Sequence, residues 1–454
     1  RHQGRRMSAP MTGAARIADF AAATFADGVP DHVLEAAQLH LLDAIGVGLA
    51  SASLPENAGW AAAAAAGSAS LLSGGTAEAG AAAMINGALI HALEYDDTHI
   101  GSVVHGSAVA APMALAVAQL AQASGRDLIL AYIVAWEVAI RIGLAAPGAF
   151  QVRGFQVTSV GGAIGAAAAA GQIISLDRAR ATSAIGIAGG QASGTLAFLA
   201  DGAMSKALNP GWAARTGIEA ARLAAAGMTG PASILESGFG VMTSFAGDAS
   251  GLAAALDGLG QDWQLPQAAF KLYPCCHYIH PFLEAIEQAM AEGLRADDLV
   301  SLTAFVPPPA APLICEPWAR RQAPISGYDG KWGLAYAMAL MLVDGRVDVD
   351  SFTSHPRADV VAVAQRMTWA PMPDHGFPRR FAARIEGMGK KGPFKAALHQ
   401  VLGAPDRPVN TAAIRAKFAS NATRRFEAMR VAQLEEAILG LVSAPDIAAL
   451  GRLL

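Results

Sequence analysis

The feature that most restricts this chain is a near-unbroken helical periodicity from about Ile17 to Ala255, written largely in alanine and glycine. Apolar residues recur at three and four across 33–49, and helices are also expected at 81–95, 107–123, 127–145, 158–174, 177–188 and 210–226. Asp31 stands before the first of these as an expected N-cap. Alanine and glycine gain little from leaving water, so such helices must be held by close backbone approach. A dense all-α domain over 7–263 is therefore expected, with no internal repeat of fixed period.

The texture changes near Gln264. Strands are expected at 299–306, running into Pro307-Pro308-Pro309, and at 365–369 and 380–385; helices are expected at 278–292 and 331–344. After about Val409 the chain reads as helical to its end. The expected architecture is mainly α: a large all-α domain, a smaller α+β lid domain inserted at 264–408, and C-terminal helices at 409–454 that rejoin the first domain. A chain of 454 residues is too long for one ordinary core, which agrees with this division.

Apolar residues make up 53% and charged residues 15%, so the charged surface is thin and a homodimer that hides part of it is expected. The net charge of -4 points to neither nucleic acid nor an anionic membrane as partner. The best candidate for a membrane span, 161–176, is mostly alanine and glycine and reads as a buried helix, while 334–343 is too short. Cys275, Cys276 and Cys315 form no disulfide framework, so a soluble, cytoplasmic protein is expected. The basic start Arg1–Arg6 before Met7 has no apolar run after it and reads as a leftover or mis-set start rather than a signal.

Three polar islands interrupt the apolar pattern. The first is Glu94-Tyr95-Asp96-Asp97-Thr98-His99, with His105 close behind. Carboxylates beside histidine suit acid and base work, because burial separates their pKa values. The same residues also fit an Asx-rich turn between two helices, and Asp and His are metal ligands, although no second cluster completes a metal site. The second island holds Lys206, alone among small residues before a helix opened by Pro210; it reads as a carboxylate clamp or as a surface lysine. The third, Lys271 to His280, packs a cation, Cys275, Cys276, His277 and His280 at the domain junction, where clefts form. Adjacent cysteines bite zinc poorly, and Cys276 as a nucleophile has no dedicated base. Glu137 and Arg141 read as a structural i,i+4 pair, and Arg153 as an anion contact. No P-loop, dinucleotide fingerprint or nucleophile elbow is present.

Together these stretches resemble the MmgE/PrpD family, which includes 2-methylcitrate dehydratases, cis-aconitate decarboxylases and iminodisuccinate epimerases. His91-Ala-Leu-Glu-Tyr-Asp-Asp-Thr-His99 is similar to the family's H-A-x-D-[FY]-D-D-T-H. Gly154-Phe-Gln-Val-Thr-Ser159 is similar to G-F-H-P-T-[SA], and Asp201 to Lys206 followed by Asn209-Pro-Gly-Trp212 to D-G-x-x-x-K-x-x-H-P-G-W. Lys271-Leu-Tyr-Pro-Cys-Cys276 with His280 resembles K-x-Y-P-C-C-x-x-x-H, and Tyr328 to Tyr336 resembles Y-D-A-K-F-S-L-x-Y. The resemblance implies a dimer, a cleft between two domains and no metal or organic cofactor. It also implies a site of Glu94, Thr98, His105, Gln156, Lys206 and Lys271, with Cys276 or His277.

The chain departs from the family at named positions. Glu94 stands where Asp is usual, and Gln156 stands where His is usual and cannot exchange a proton near neutral pH. Cys276 occupies the place of the decarboxylases' histidine, and Pro307–Ile314 holds no tyrosine. The last two departures weigh against cis-aconitate decarboxylation, and Gln156 weighs against a simple transfer of methylcitrate dehydration. The expectation is a lyase that removes a proton next to a carboxylate of a small hydroxy di- or tricarboxylic acid. His105 is the expected acid/base, partnered by Glu94, Asp97 or His277, with Lys206, Lys271, Arg153 and Gln156 on the substrate. An isomerase of a similar acid and a non-catalytic carboxylate-binding relative are the alternatives.

Overall fold

The computed structural model describes residues 11–352, 355–377 and 379–454; the basic start at 1–6 lies outside them. The protein is mainly α. Its longer N-terminal helices are α1 (Gly13–Asp27), α2 (Asp31–Ala52), α3 (Ala79–His91), α4 (Ser107–Ala121), α5 (Gly125–Ala145), α6 (Val157–Ile173), α7 (Arg178–Gly190) and α8 (Leu208–Ala225). They share one apolar core, joined by side chains of α11 (Thr411–Ala422) and α12 (Ala428–Leu439) near the C-terminus. The N-cap of α2 is Pro30, and Asp31 is its first helical residue, making no side-chain cap. Two helices, α2 and α5, are long and apolar enough to cross a membrane, rather than the 161–176 stretch. Of their most apolar stretches, 78% and 94% are buried, so here they serve as core helices.

Backbone contact fixes the helix crossings. A Cβ on Gly211 of α8 would overlap the Met84 carbonyl of α3, and one on Gly87 would overlap the backbone of Gly211. The two helices therefore touch where neither carries a side chain. This crossing brings the residues after α3 and the residues before α8 to the same place. Gly106, opening α4, lies flat against the Trp136 ring with no room for a Cβ.

A second core holds α9 (His280–Ala291), α10 (Leu334–Asp344) and a four-stranded sheet. The strands are β1 (Leu299–Val306), β2 (Met367–Pro371), β3 (Ala383–Gly389) and β4 (Gly392–Leu398), in the order β2-β1-β3-β4. β1 runs parallel to β2, pairing Leu302 with Met367, and antiparallel to β3, pairing Ala304 with Ile385. β2 and β3 begin two and three residues later than expected, and β4 was not expected at all. Pro393 masks it in the sequence; β4 is an edge strand, where a missing amide donor is tolerated.

Glu137 and Arg141 do not bond each other as the i,i+4 spacing suggested. Glu137 Oε1 accepts the amides of Gln264 and Leu265, both at 2.7 Å. Arg141 donates to the carbonyls of Ala255 and Gly258 at 3.2 and 3.1 Å. Both side chains thus clamp the segment that leads into the second core. Gly211→Ala is expected to force α3 and α8 apart, costing on the order of 1–3 kcal/mol. Chemical denaturation checks the loss of stability, which should be accompanied by a fall in activity.

Candidate active site

The loop between α3 and α4 is where the polar residues gather. α3 stops at His91, earlier than the expected Tyr95, and Glu94 takes a left-handed backbone at φ 55°. Val103, β-branched, does the same at φ 57°. Such conformations cost on the order of 1–3 kcal/mol each and persist only where the surroundings impose them. The surroundings here are hydrogen bonds. Thr98 N–H donates to the Ala269 carbonyl at 3.0 Å and its carbonyl accepts from Ala269 at 2.8 Å, while His99 N–H reaches Val104 O at 2.8 Å. The Thr98 pairing sets the loop directly against the strip that carries Lys271.

Glu94 is the centre of the charge arrangement. Lys206 Nζ donates to both of its carboxylate oxygens at 2.5 Å, and Tyr328 OH donates to Oε1 at 3.1 Å. Lys271 Nζ donates to the Glu94 backbone carbonyl at 3.1 Å. Burial alone would raise the Glu94 pKa; Lys206, His91 and Lys271 overcome it and bring it down to about 2. The Trp332 ring lies 4.6 Å from Lys206 Nζ, closing that side with a cation–π contact.

His105 is held as a base. Its Nδ1 lies 3.0 Å from the Asp97 carbonyl and 3.1 Å from Thr98 Oγ1. A carbonyl can only accept, so Nδ1 carries the proton and Nε2 keeps its lone pair. Burial, then the positive charge of Lys271, holds the His105 pKa well below the ordinary value for histidine, so this neutral form prevails at neutral pH. Behind it, His91 Nδ1 bonds Asp96 at 2.7 Å, and Gln156 donates to His91 Nε2 at 3.0 Å. Asn209 donates to Gln156 Oε1 at 2.8 Å, which fixes the amide's orientation. His91, Asp96 and His105 bring metal-ligating atoms within 4.8 Å of one another. Both His91 nitrogens and His105 Nδ1 are already engaged in hydrogen bonds there.

These groups line a cavity of about 340 Å³ between the two cores. Of the residues singled out in the sequence, Glu94, Thr98, His105, Gln156, Lys206, Lys271, Cys276 and His277 all face it. Asp97 and Arg153 do not. Asp97 is bonded by His40 at 2.7 Å and by Ser107 at 2.5 Å, so it braces the start of α4 instead of meeting a substrate. Arg153 is exposed and donates to the Ser244 carbonyl at 3.2 Å, away from the cavity. Burial pushes the Cys276 thiol up to about 11, leaving it a neutral wall group. His277 is buried at 5% exposure with neither ring nitrogen bonded.

Spacing in the sequence gave no hint of Tyr328 on Glu94, or of two further lysines. Lys331 Nζ donates to the carbonyls of Leu93 and Pro274 at 3.1 and 3.0 Å, and burial brings its pKa down to about 8. Lys417, on α11, lies 2.8 Å from the Asp43 carboxylate and donates to the carbonyls of Tyr95 and Lys271 at 3.0 and 2.8 Å. Tyr328 and Lys331 sit inside the stretch from Tyr328 to Tyr336 that resembles the family; Lys417 sits in a helix with little hydrophobic periodicity, where nothing marks it.

Residues 15–251 match the model of the MmgE/PrpD N-terminal domain, and residues 273–441 that of the MmgE/PrpD C-terminal domain. The chain belongs to the MmgE/PrpD family. It is 28% identical over 394 residues to the cis-aconitate decarboxylase-like protein oryM of Aspergillus oryzae, covering 82% of this chain and 81% of that protein. It is 29% identical over 398 residues to a cis-aconitate decarboxylase of Aspergillus terreus, with the same coverage. A cis-aconitate decarboxylase of Mus musculus is 27% identical over 390 residues, covering 82% and 78%. These similarities support an enzyme of this family.

Glu94→Gln should leave Lys206 buried and uncompensated, destabilising the protein by about 3–5 kcal/mol. The pH dependence has a definite sign. The folded pKa of Glu94 is depressed to about 2, so its stabilisation is present above the ordinary carboxylate pKa and is lost as pH falls through about 2. Denaturation from pH 6 downward should show the variant losing less stability with acid than the wild type does.

Proposed function

We propose that the chain is a lyase acting on a small hydroxy di- or tricarboxylic acid. The observation that carries this reading is the unprotonated Nε2 of His105, facing the same cavity as the buried cation of Lys271. Removing a proton next to a carboxylate loads a second negative charge onto that group, and a fixed cation in a dry cleft stabilises it. His105 Nε2 takes the proton, and the C–H electron pair forms the new double bond. The β-hydroxyl then leaves with the proton handed on by His105, so that water departs. Thr98 and the Asp97 carbonyl hold the imidazole in its working tautomer. Glu94, fully ionised against Lys206, serves as structure rather than as acid.

Decarboxylation is the second reading, favoured by the similarity to proteins named as cis-aconitate decarboxylases. The substitutions at Cys276 and in Pro307–Ile314 weigh against it. An epimerase would use the same base without loss of the hydroxyl. The segment 264–408, with its own core and sheet, is proposed as a lid over this cavity. We also propose a cytoplasmic homodimer; exposed Leu208, Trp212 and Leu223 on α8 supply an apolar surface for subunit contact.

Proton NMR in deuterated water with a panel of hydroxy acids tests the reaction. A new vinyl signal without carbon dioxide release is the expected result. Vinyl formation with carbon dioxide release points to decarboxylation, deuterium wash-in alone points to epimerisation, and no change across the panel removes every enzyme reading. His105→Ala should lower kcat by a factor on the order of 10²–10⁴ while circular dichroism stays unchanged.

A further inference from the structure

The cavity has two chemically different parts, and this difference speaks to the substrate. Its ionised lining groups are Glu94, Lys206 and Lys271. Lys206 is spent on both oxygens of Glu94, whereas Lys271 donates only to a neutral carbonyl. Lysine has three donors, so Lys271 keeps two free for a ligand. Just outside the lining, Asp96 behind His91 and His105 adds a negative charge and Lys331 beside Leu93 adds a positive one, so the two offset each other. The surplus is therefore at most one positive charge, enough for one carboxylate. A second oxygen-bearing group can share the two free donors of Lys271; His277 also lines the cavity, but both of its unbonded ring nitrogens are closed off from it. A third carboxylate would meet no cation, and a buried, unpaired carboxylate is costly.

Much of the remaining wall is apolar, with Thr98, Gln151, Gln156 and Tyr278 as its other polar groups. Ile100, Val103, Leu196, Leu199, Leu313 and Phe381 all line the cavity, and Ile100 and Phe381 are only 7% and 5% exposed. A compact tricarboxylic acid would leave this wall facing water. An alkyl group laid against it would release that water.

Resting on the lyase reading above, we infer that the substrate is an acid with at most two carboxylates and an alkyl substituent of several carbons. One carboxylate sits on Lys271, the second polar group shares that lysine's donors, and the alkyl group lies against Leu313, Phe381 and their neighbours.

Equilibrium binding of unreactive saturated acids to the full chain tests this without requiring turnover. The probes are succinate, its 2-ethyl, 2-butyl and 2-hexyl derivatives, and tricarballylate, measured by titration calorimetry. Affinity should rise roughly tenfold or more with each two-carbon step until the cavity is filled, and tricarballylate should bind more weakly than butylsuccinate. Leu313→Asp should flatten the chain-length dependence; should that variant fail to fold, the wild-type series decides alone. A flat series, tighter binding of tricarballylate, or no binding by any probe would overturn the inference. Chain-length-dependent binding with no turnover of alkylated hydroxy acids would leave it standing and remove the lyase reading. Turnover of a bare tricarboxylate together with a flat series would do the reverse.

Discussion

Lys206 and Glu94 come from the two sides of one helix crossing, and most of the site follows from their meeting. Each is buried, and neither charge is tolerable there without the other. Glu94 meets Lys206 from a left-handed backbone position, with its own carbonyl bonded by Lys271. The pairing also removes two charges from the chemistry. Among the charged and histidine side chains, what remains facing a ligand is one lysine with free donors and one histidine preset as a base. The larger Glu94 in the family's Asp position therefore reads as a structural acid whose longer arm still reaches the lysine.

The same loop is fastened from distant parts of the chain. Lys417, on a C-terminal helix, bonds the carbonyls of Tyr95 and Lys271 and ends on Asp43 of α2. Lys331, from the second core, bonds Leu93 and Pro274. Both lysines use backbone carbonyls, so they fix the paths of the loop and of the Lys271 strip without competing for substrate. Segments more than a hundred residues apart in sequence thus set the position of a single cation. The glycine contact between α3 and α8 acts in the same sense, since any widening there would separate Glu94 from Lys206.

The helices were legible in the sequence because their apolar stretches are long, even though several lack a side-chain cap. Their ends were less so: α3 stops before the polar island, where His91 bonds Asp96 five residues on across the turn, a contact that apolar periodicity does not announce. β4 escaped notice because Pro393 argues against a strand unless the strand is known to lie at an edge. The cavity-lining residues were found chiefly through their match to family motifs; spacing alone left Lys206 looking like a surface lysine and Glu94 to His105 looking like a busy turn. Arg153 stands three residues before the cavity-lining Gln156, yet its guanidinium donates to the Ser244 carbonyl. Lys417 had no signal at all, since its role depends on where three separate segments meet.

The account depends on His105 being a neutral base with its proton on Nδ1. Nitrogen NMR on the protein labelled at histidine, followed across pH, measures this directly. The predicted result is a His105 Nε2 with the shift of an unprotonated nitrogen and an Nδ1 with that of an N–H, persisting below the ordinary histidine pKa. A protonated Nε2 near neutral pH, or a His105 that titrates as an ordinary surface histidine, would contradict it.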